Sequence, residues 1–513
     1  MKRQTIGALL ILLFGAVAVG AWRYFSPQVE EWRRTKGSDI KTSVTFRIGG
    51  DGYVGYWFIT SPDMRKQSAR RGLAINFTDD RGAYGERLAK LAAREYDVIV
   101  LPINSYLEHG AAHGFPGVIV AAIAESKGAD GIVGFTDKFP ERKVSELNDP
   151  ALRIVYTADS PSSFLLDLTI ADFDLFQLKT SDAWRVEVGG SQEAYERAKR
   201  RDGDAFVLWE PDLSRALSEL ADLEYLWGSD KFAGYIKDVF VVHRDFLARH
   251  PKEVTEFFDT YFAVLRGYAN DQARLVAGIS QSTGLKPEIT QEMLRKIDWY
   301  TLQENAVFQF GLTSNVGVPA VDGVVNTIIA CTDVLLKSGR MQSDPLEGNP
   351  YRITNSSVLE ALLKRSPGEV GLRGSAVDFT SLPEEKWSEL REVGVLRVEP
   401  ISFQAGRDAL DDGGKEQVDR IAAILVNNYP DYRVAVRGHT GAGDEKENEI
   451  LSRERAAVVA QRLVAVHGVD PDRLHAEGKG STQPPPRKPD ESERAFRYRL
   501  PRVEFVLLED NTL

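Results

Sequence analysis

The stretch VRGHTGAGDEKENEILSRERAAVVAQRL, Val436–Leu463, changes character three times. An apolar strand end runs into the turn Gly438-His439-Thr440, a charged loop follows, and a helix is expected from Leu451-Ser452 with Arg455 near its start. Working outward, GVLRVEPISFQ, YRVAVRGHT and RVEFVLLE read as strands, and LDDGGKEQVDRIAAILVNNYP and SRERAAVVAQRLVAVHG as helices. Two βα units and a last strand, over residues 393–510, predict a small two-layer α+β domain.

Upstream, residues 340–392 contain SGRMQSDPLEGNPYRITNSS and RSPGEVGLRGSAVDFTSLPEEKW, rich in Gly, Pro, Ser and charge, and read as a partly ordered linker. Before that, residues 42–339 alternate. SVTFRIGG is a strand ending in glycines, YGERLAKLAARE a helix, YDVIVLP a buried strand, and the pattern continues through GVIVAAIAES, DGIVGF, LRIVYTADS, WRVEVGG and DAFVLWEP. Such alternation predicts an α/β domain with a mostly parallel sheet. No repeat at a solenoid or propeller period is present.

At 513 residues the chain exceeds one compact core. Its 43% hydrophobic and 27% charged residues belong to a folded globular protein, and a net charge of -11 argues against nucleic acid as a partner. The single cysteine, Cys331, forms no intrachain disulfide and no cysteine-based zinc site; it reads as a small buried hydrophobe. Thr5–Trp22, TIGALLILLFGAVAVGAW, is uncharged, follows Lys2 and Arg3, and would span roughly 27 Å as a helix. With Tyr24-Phe25 beyond it as an interfacial belt, residues 5–24 read as a transmembrane anchor; the small residues ending at Ala21 leave a cleaved signal peptide as the alternative.

The succession GGDGYVGYW, YDVIVLP, GVIVAAIAESKGADGIV, ADSPSSFLL, LWEPDLSRAL, VFVVHRDFLARHPKEVTEFF resembles the periplasmic substrate-binding proteins of the nitrate, taurine and sulfonate uptake class. The resemblance implies two α/β lobes of the type 2 periplasmic-binding-protein fold closing on a small, often anionic solute, with a transporter permease as a further partner. Ser160, Ser162 and Ser163 surround Pro161 at an expected helix start, where hydroxyls and free N–H groups suit an anion and equally suit a cap. Gly50, Asp51, Gly52 and Tyr53 follow the first strand, where backbone can approach a ligand or simply turn. By the resemblance Trp209 and Glu210 face the cleft, and Ser126 with Lys127 completes the set. A pyrimidine-synthesising group of enzymes resembles the same binding proteins, but its cysteine-rich iron segment has no counterpart here. With no Ser-His-Asp order, His-Glu-x-x-His pair or Gly-x-x-x-x-Gly-Lys-Ser loop, no catalytic residue, metal site or cofactor is expected.

From ISFQAGRDAL to RVEFVLLE the chain resembles the peptidoglycan-binding OmpA-like domain. Phe403, Gly406 and Leu410 fit its Phe-x-x-Gly-x-x-x-Leu; Gly438-His439-Thr440 its turn; Asn448, Leu451, Ser452, Arg455 and Ala456 its Asn-x-x-Leu-Ser-x-x-Arg-Ala. In that family an aspartate after the turn and the helix arginine grip the diaminopimelate side chain, whose ammonium and carboxylate need one acid and one guanidinium close together. Arg455 is present, but Gly441 stands where the aspartate belongs, and Asp444 is the candidate to replace it. A surface ion pair of Arg455 with Glu445 or Glu447 is the alternative. The resemblance implies an inner-membrane, single-pass protein with its bulk in the periplasm, binding peptidoglycan and a small solute. The runner-up is an envelope tether whose first domain binds a protein.

Overall fold

The computed structural model describes residues 43–509 except 174, 313–321, 366–378, 405–406, 442 and 488–490. The expected anchor, Thr5–Trp22, lies outside the described residues, as does Gly406. Among the described residues no helix is long and apolar enough to cross a membrane.

The first sheet begins with β1 (Val44–Gly50), β2 (Leu73–Asp79), β3 (Val98–Pro102) and β4 (Gly117–Ser126). Every residue of β3 and β4 is buried, as continuous apolar runs covered on both faces should be. The chain then crosses into a second sheet of β5 (Asp130–Phe135), β6 (Ile154–Thr157), β7 (Arg185–Val188), β8 (Ala205–Trp209) and β9 (Leu223–Gly228). It returns to the first as β10 (Lys237–His243) and β11 (Ile297–Trp299). The orders are β11-β4-β10-β3-β1-β2 and β7-β6-β8-β5-β9. Two lobes joined by two crossing segments follow from this order, and they correct the expectation of a mostly parallel sheet. β5, entered on the outward crossing, runs antiparallel to β8 and β9, and β10, entered on the return, runs antiparallel to β3 and β4.

Ser229 ties the crossings together. Its Oγ lies 2.5 Å from Ser126 Oγ and accepts from Gly128 N (2.9 Å) and Asp130 N (3.1 Å). Cys331 is buried in the helix Gly323–Lys337, its thiol 3.2 Å from the carbonyl of Tyr235.

The expected linker is shorter than its composition suggested. Helix Ser357–Arg365 packs on helix Pro251–Ala269, Thr354 bridges to Ile119, and Arg365 pairs with Glu256 at 2.7 Å, so residues 340–365 complete the first lobe. On the far side, Leu382, Trp387 and Leu390 pack against Ala435, Val506 and Leu508 of the C-terminal sheet.

That sheet has β12 (Arg391–Leu396), β13 (Arg433–His439), β14 (Leu474–Gly478) and β15 (Arg502–Glu509) in the order β12-β15-β13-β14. Helices Asp412–Asn427 and Glu445–His467 pack with it. Three local expectations change. The first strand ends at Leu396 rather than continuing to Gln404. β14 was not anticipated, since LHAEG is a polar, half-exposed edge without strand alternation. The second helix begins at Glu445, before Leu451, because Asp444 caps it, accepting from Lys446 N (3.0 Å) and Glu447 N (3.1 Å).

The C-terminal domain docks beside the crossing segments. Ala233 N donates to Asn428 O (2.6 Å), Asn428 Nδ2 to Ala233 O (2.9 Å), and Arg397 N to Asp172 O (2.6 Å); Lys231 pairs with Glu509 at 3.0 Å.

Candidate functional site

Between the lobes lies a cavity of about 10 Å3, room for roughly one water. Tyr53, Tyr56, Tyr84 and Asp238 line it from the first lobe, Trp209 and Pro161 from the second, and Asp130 from the crossing. Of the solute candidates, only Tyr53 and Trp209 reach this wall.

The others have structural partners. Gly50 is packed so closely that an added Cβ would meet Phe77 and Val100 at 2.6–2.7 Å. Asp51 accepts from Tyr53 N (3.0 Å) and pairs with Arg87 (2.9 Å). Glu210, fully buried, accepts from Ser214 N (3.0 Å) and Oγ (2.7 Å) and pairs with Lys296 (2.7 Å). Ser126 belongs to the crossing, and Lys127 pairs with Glu125 at 2.9 Å.

The three serines form the cap of helix Pro161–Asp172. Ser160 Oγ donates to Thr157 O (2.7 Å) and accepts from Ser162 N (3.1 Å). Ser163 Oγ donates to Ser160 O (2.8 Å) and accepts from Ser160 N (3.0 Å), while Ser162 Oγ lies 3.5 Å from Val207 O. The Ser160 and Ser163 hydroxyls hold the turn, as the capping alternative of the sequence has it, while the Ser162 hydroxyl is directed to β8.

Acids outnumber cations around the cavity. Arg87 is fully buried and shared among Asp51, Asp80 and the carbonyl of Val100. Lys296 is held by Glu210. Asp130 and Asp238 have no such cation. Burial pushes Asp130 up to about 7, against a hydrogen bond from Ser126 and with the charges of Glu210 and Asp51 adding to the rise. Burial likewise holds Asp238 well above the usual carboxylate range, although the Tyr56 hydroxyl bonds to it. No unengaged arginine or lysine lines the cavity to meet the expected anion. The sequence carried one signal of these acids: Lys237-Asp238 places charge inside an apolar strand, where an unpaired acid is rare.

In the C-terminal domain the motif residues converge. An added Cβ on Gly438 would lie 1.9 Å from Ser452 O, and one on Gly478 2.5 Å from Glu449 O, so both glycines let helix Glu445–His467 press onto β13 and β14. Ser452 Oγ donates to Glu449 O (2.9 Å) and accepts from Gly480 N (3.0 Å); Thr440 N donates to Gly480 O (2.9 Å). Asn448 Nδ2 donates to Gly441 O (3.2 Å), fixing the loop. Leu451 is half-buried on the helix. His439 Nε2 lies 3.1 Å from Glu504, while His439 Nδ1 and Thr440 Oγ1 are buried with no partner among the described residues.

Arg455 lies over the Phe403 ring, 4.9 Å from its centre, and donates through Nε and Nη2 to Arg407 O at 3.3 Å each. It forms neither of the ion pairs considered for it. Burial lowers its affinity for its proton, and the acid whose charge opposes that effect is Asp408. Asp444, occupied as a cap, is not that acid. Asp408 was missed because it sits inside the Phe-x-x-Gly-x-x-x-Leu spacing as an unspecified position; the Phe403–Leu410 bridge closes the loop that carries it toward the arginine.

The chain thus combines a two-lobed α/β domain with a small α+β domain built around the Gly438-His439-Thr440 turn. Residues 402–498 match the OmpA family. Over 108 residues the chain is 30% identical to outer membrane protein A of Bordetella avium, covering 21% of this chain and 55% of that protein, so it spans about half the length of that relative. The first domain is similar to solved periplasmic binding proteins. The alkanesulfonate-binding protein SsuA from Xanthomonas axonopodis pv. citri bound to MOPS is 17% identical, covering 60% of this chain and 97% of that one, with a TM-score of 0.47. The nitrate-binding protein NrtA from Synechocystis PCC 6803 is 10% identical, covering 64% and 89%, with a TM-score of 0.47.

Proposed function

We propose that this chain is a solute-binding protein of the bacterial periplasm, anchored in the inner membrane by Thr5–Trp22 and held to peptidoglycan by its C-terminal domain. The observation that carries the reading is Arg455. Its guanidinium is oriented by the Phe403 face beside Asp408, which supplies an acid and a guanidinium in one place despite Gly441. The diaminopimelate carboxylate would meet Arg455 and its ammonium Asp408. The two lobes, hinged at Ser126 and Ser229, would open to admit a small solute and deliver it to a permease.

Sedimentation of the full-length chain with purified peptidoglycan tests the wall contact. Arg455→Ala should weaken binding at least about tenfold, since charge-assisted contacts contribute roughly 1.5–3 kcal/mol. Asp408→Asn should weaken it less but measurably. Unchanged sedimentation in both variants would remove wall binding from this site. A partner protein recovered by crosslinking through the first domain, with no solute that raises its melting temperature, would make the tether the better account.

A further inference from the structure

The cavity between the lobes lies among four aromatic rings, Tyr53, Tyr56, Tyr84 and Trp209, and two carboxylates, Asp130 and Asp238. The nearby cations are already engaged: Arg87 by Asp51 and Asp80, Lys296 by Glu210. Tyr53, only 8% exposed, has a hydroxyl with no hydrogen-bond partner. A buried hydroxyl left in that condition is costly unless something arrives to bond it.

From this geometry, and resting on the reading that the lobes bind a solute, we propose that the cleft takes the primary ammonium group of a small organic amine. Its three N–H donors have three acceptor groups among the lining residues, the Asp130 carboxyl, the Asp238 carboxyl that also takes the Tyr56 hydroxyl, and the unpartnered Tyr53 hydroxyl. The ring faces add cation–π attraction. Size decides between kinds of cation. A space that holds one water accepts an –NH3+ head, whereas a quaternary ammonium would have to displace the rings. A metal ion is a poorer fit, because no group of three or more His, Cys, Asp or Glu among the described residues could hold one. The amine's carbon chain would leave along the line where the lobes part. Burial raises both acids and so favours their neutral forms, and an ammonium placed between them would favour the charged carboxylates, whereas an anion would find no unengaged cation among the residues that line the cavity.

The test is calorimetry and thermal melting of the full-length chain with ethylammonium, putrescine, tetramethylammonium, nitrate and methanesulfonate. Ethylammonium and putrescine are expected to raise the melting temperature and tetramethylammonium to leave it unchanged. Asp130→Asn should weaken amine binding about tenfold or more while melting no lower than wild type without ligand, since it removes a buried acid. Tyr53→Phe gives a second measure, expected to weaken binding several-fold in a chain whose fold does not depend on the missing hydroxyl. If nitrate or methanesulfonate stabilises the chain and the amines do not, the ammonium assignment falls while solute binding stands. If none of the probes binds, both fall. Amine binding that is equal in wild type, Asp130→Asn and Tyr53→Phe would place the ligand elsewhere and overturn the assignment.

Discussion

The interlobe cleft and the C-terminal turn are opposite solutions to placing charge near a ligand. In the cleft every cation is saturated and two acids are left over: Arg87 and Lys296 have their carboxylates, Asp130 and Asp238 have none. At the turn Arg455 has, among the described residues, no ion pair: it donates to a carbonyl at 3.3 Å and is laid on a ring. The sign of ligand a site favours is therefore set by which ionic partner is left unsatisfied, and motif residues alone do not report that. Ser160 and Ser163 look like part of an anion site in sequence and form a capping box; Asp444 looks like a replacement acid and acts as a cap too.

The strongest way to break the comparison is to dismantle one site's frame and leave the other. Gly438→Val would drive a side chain into Ser452 O, a backbone atom that cannot step aside. Overpacking of this kind should cost about 3 kcal/mol. The expected outcome is loss of peptidoglycan sedimentation and a lowered C-terminal melting transition, with solute binding by the first domain retained. Loss of both activities together would show that the docked domains fold as one unit.

Next in size is the fastening of the lobes. Arg340 pairs with Asp167 (2.9 Å) and Asp159 (2.9 Å) of the second lobe and with Glu108 (3.5 Å) of the first. Arg340→Ala leaves Asp167 and Glu108, both largely buried, without this cation, and should lower stability by about 2 kcal/mol. It should also enlarge the radius measured by small-angle scattering, because the pairing spans the cleft. A radius unchanged from wild type would mean that Lys296–Glu210 and Ser126–Ser229 hold the lobes closed without it.

Much of the architecture was legible in the sequence because it rests on local periodicity. Apolar runs such as VIVLP and GVIVAAIAES can only be buried strands or helices, and Gly438 and Gly478 mark close backbone approaches to the helix beside them. The reversed strand directions were not legible, since a run of apolar residues carries no sign of direction. Neither was β14, whose polar sequence pairs by position in the sheet rather than by its own pattern. The site residues divide similarly. Tyr53 and Trp209, which the resemblance singled out, both line the cavity. Tyr56, Tyr84, Asp130 and Asp238 come from four separate segments and meet only when the lobes close.

A smaller effect separates the two sites by pH. Asp130 is raised to about 7 by burial, with Glu210, Asp51 and Asp238 facing it and Ser126 bonding to it, while Arg87 and Lys296 are engaged elsewhere. An acid with a raised native pKa contributes stability that is fully present below its unfolded value, near 4, and lost as pH rises through about 7. Between pH 6 and 8 the unliganded first domain should lose about 1 kcal/mol from this group alone. Asp130→Asn should flatten that slope, and an amine should restore the lost stability at pH 8.

The smallest effect expected tests the turn directly. Gly441 is half-exposed beside Pro501, with an added Cβ 3.9 Å from that ring, so aspartate can be placed there without strain. Were the acid half of the grip missing, Gly441→Asp would tighten peptidoglycan binding about tenfold. With Asp408 already near Arg455, the new carboxylate only adds an exposed charge, which contributes about 0.5 kcal/mol or roughly a twofold gain. The double variant Asp408→Asn, Gly441→Asp then becomes informative, because the acid returns at the other position and binding should recover toward wild type. A tenfold gain from Gly441→Asp alone would assign the ammonium contact to position 441 and leave Asp408 as a neighbour that tunes Arg455.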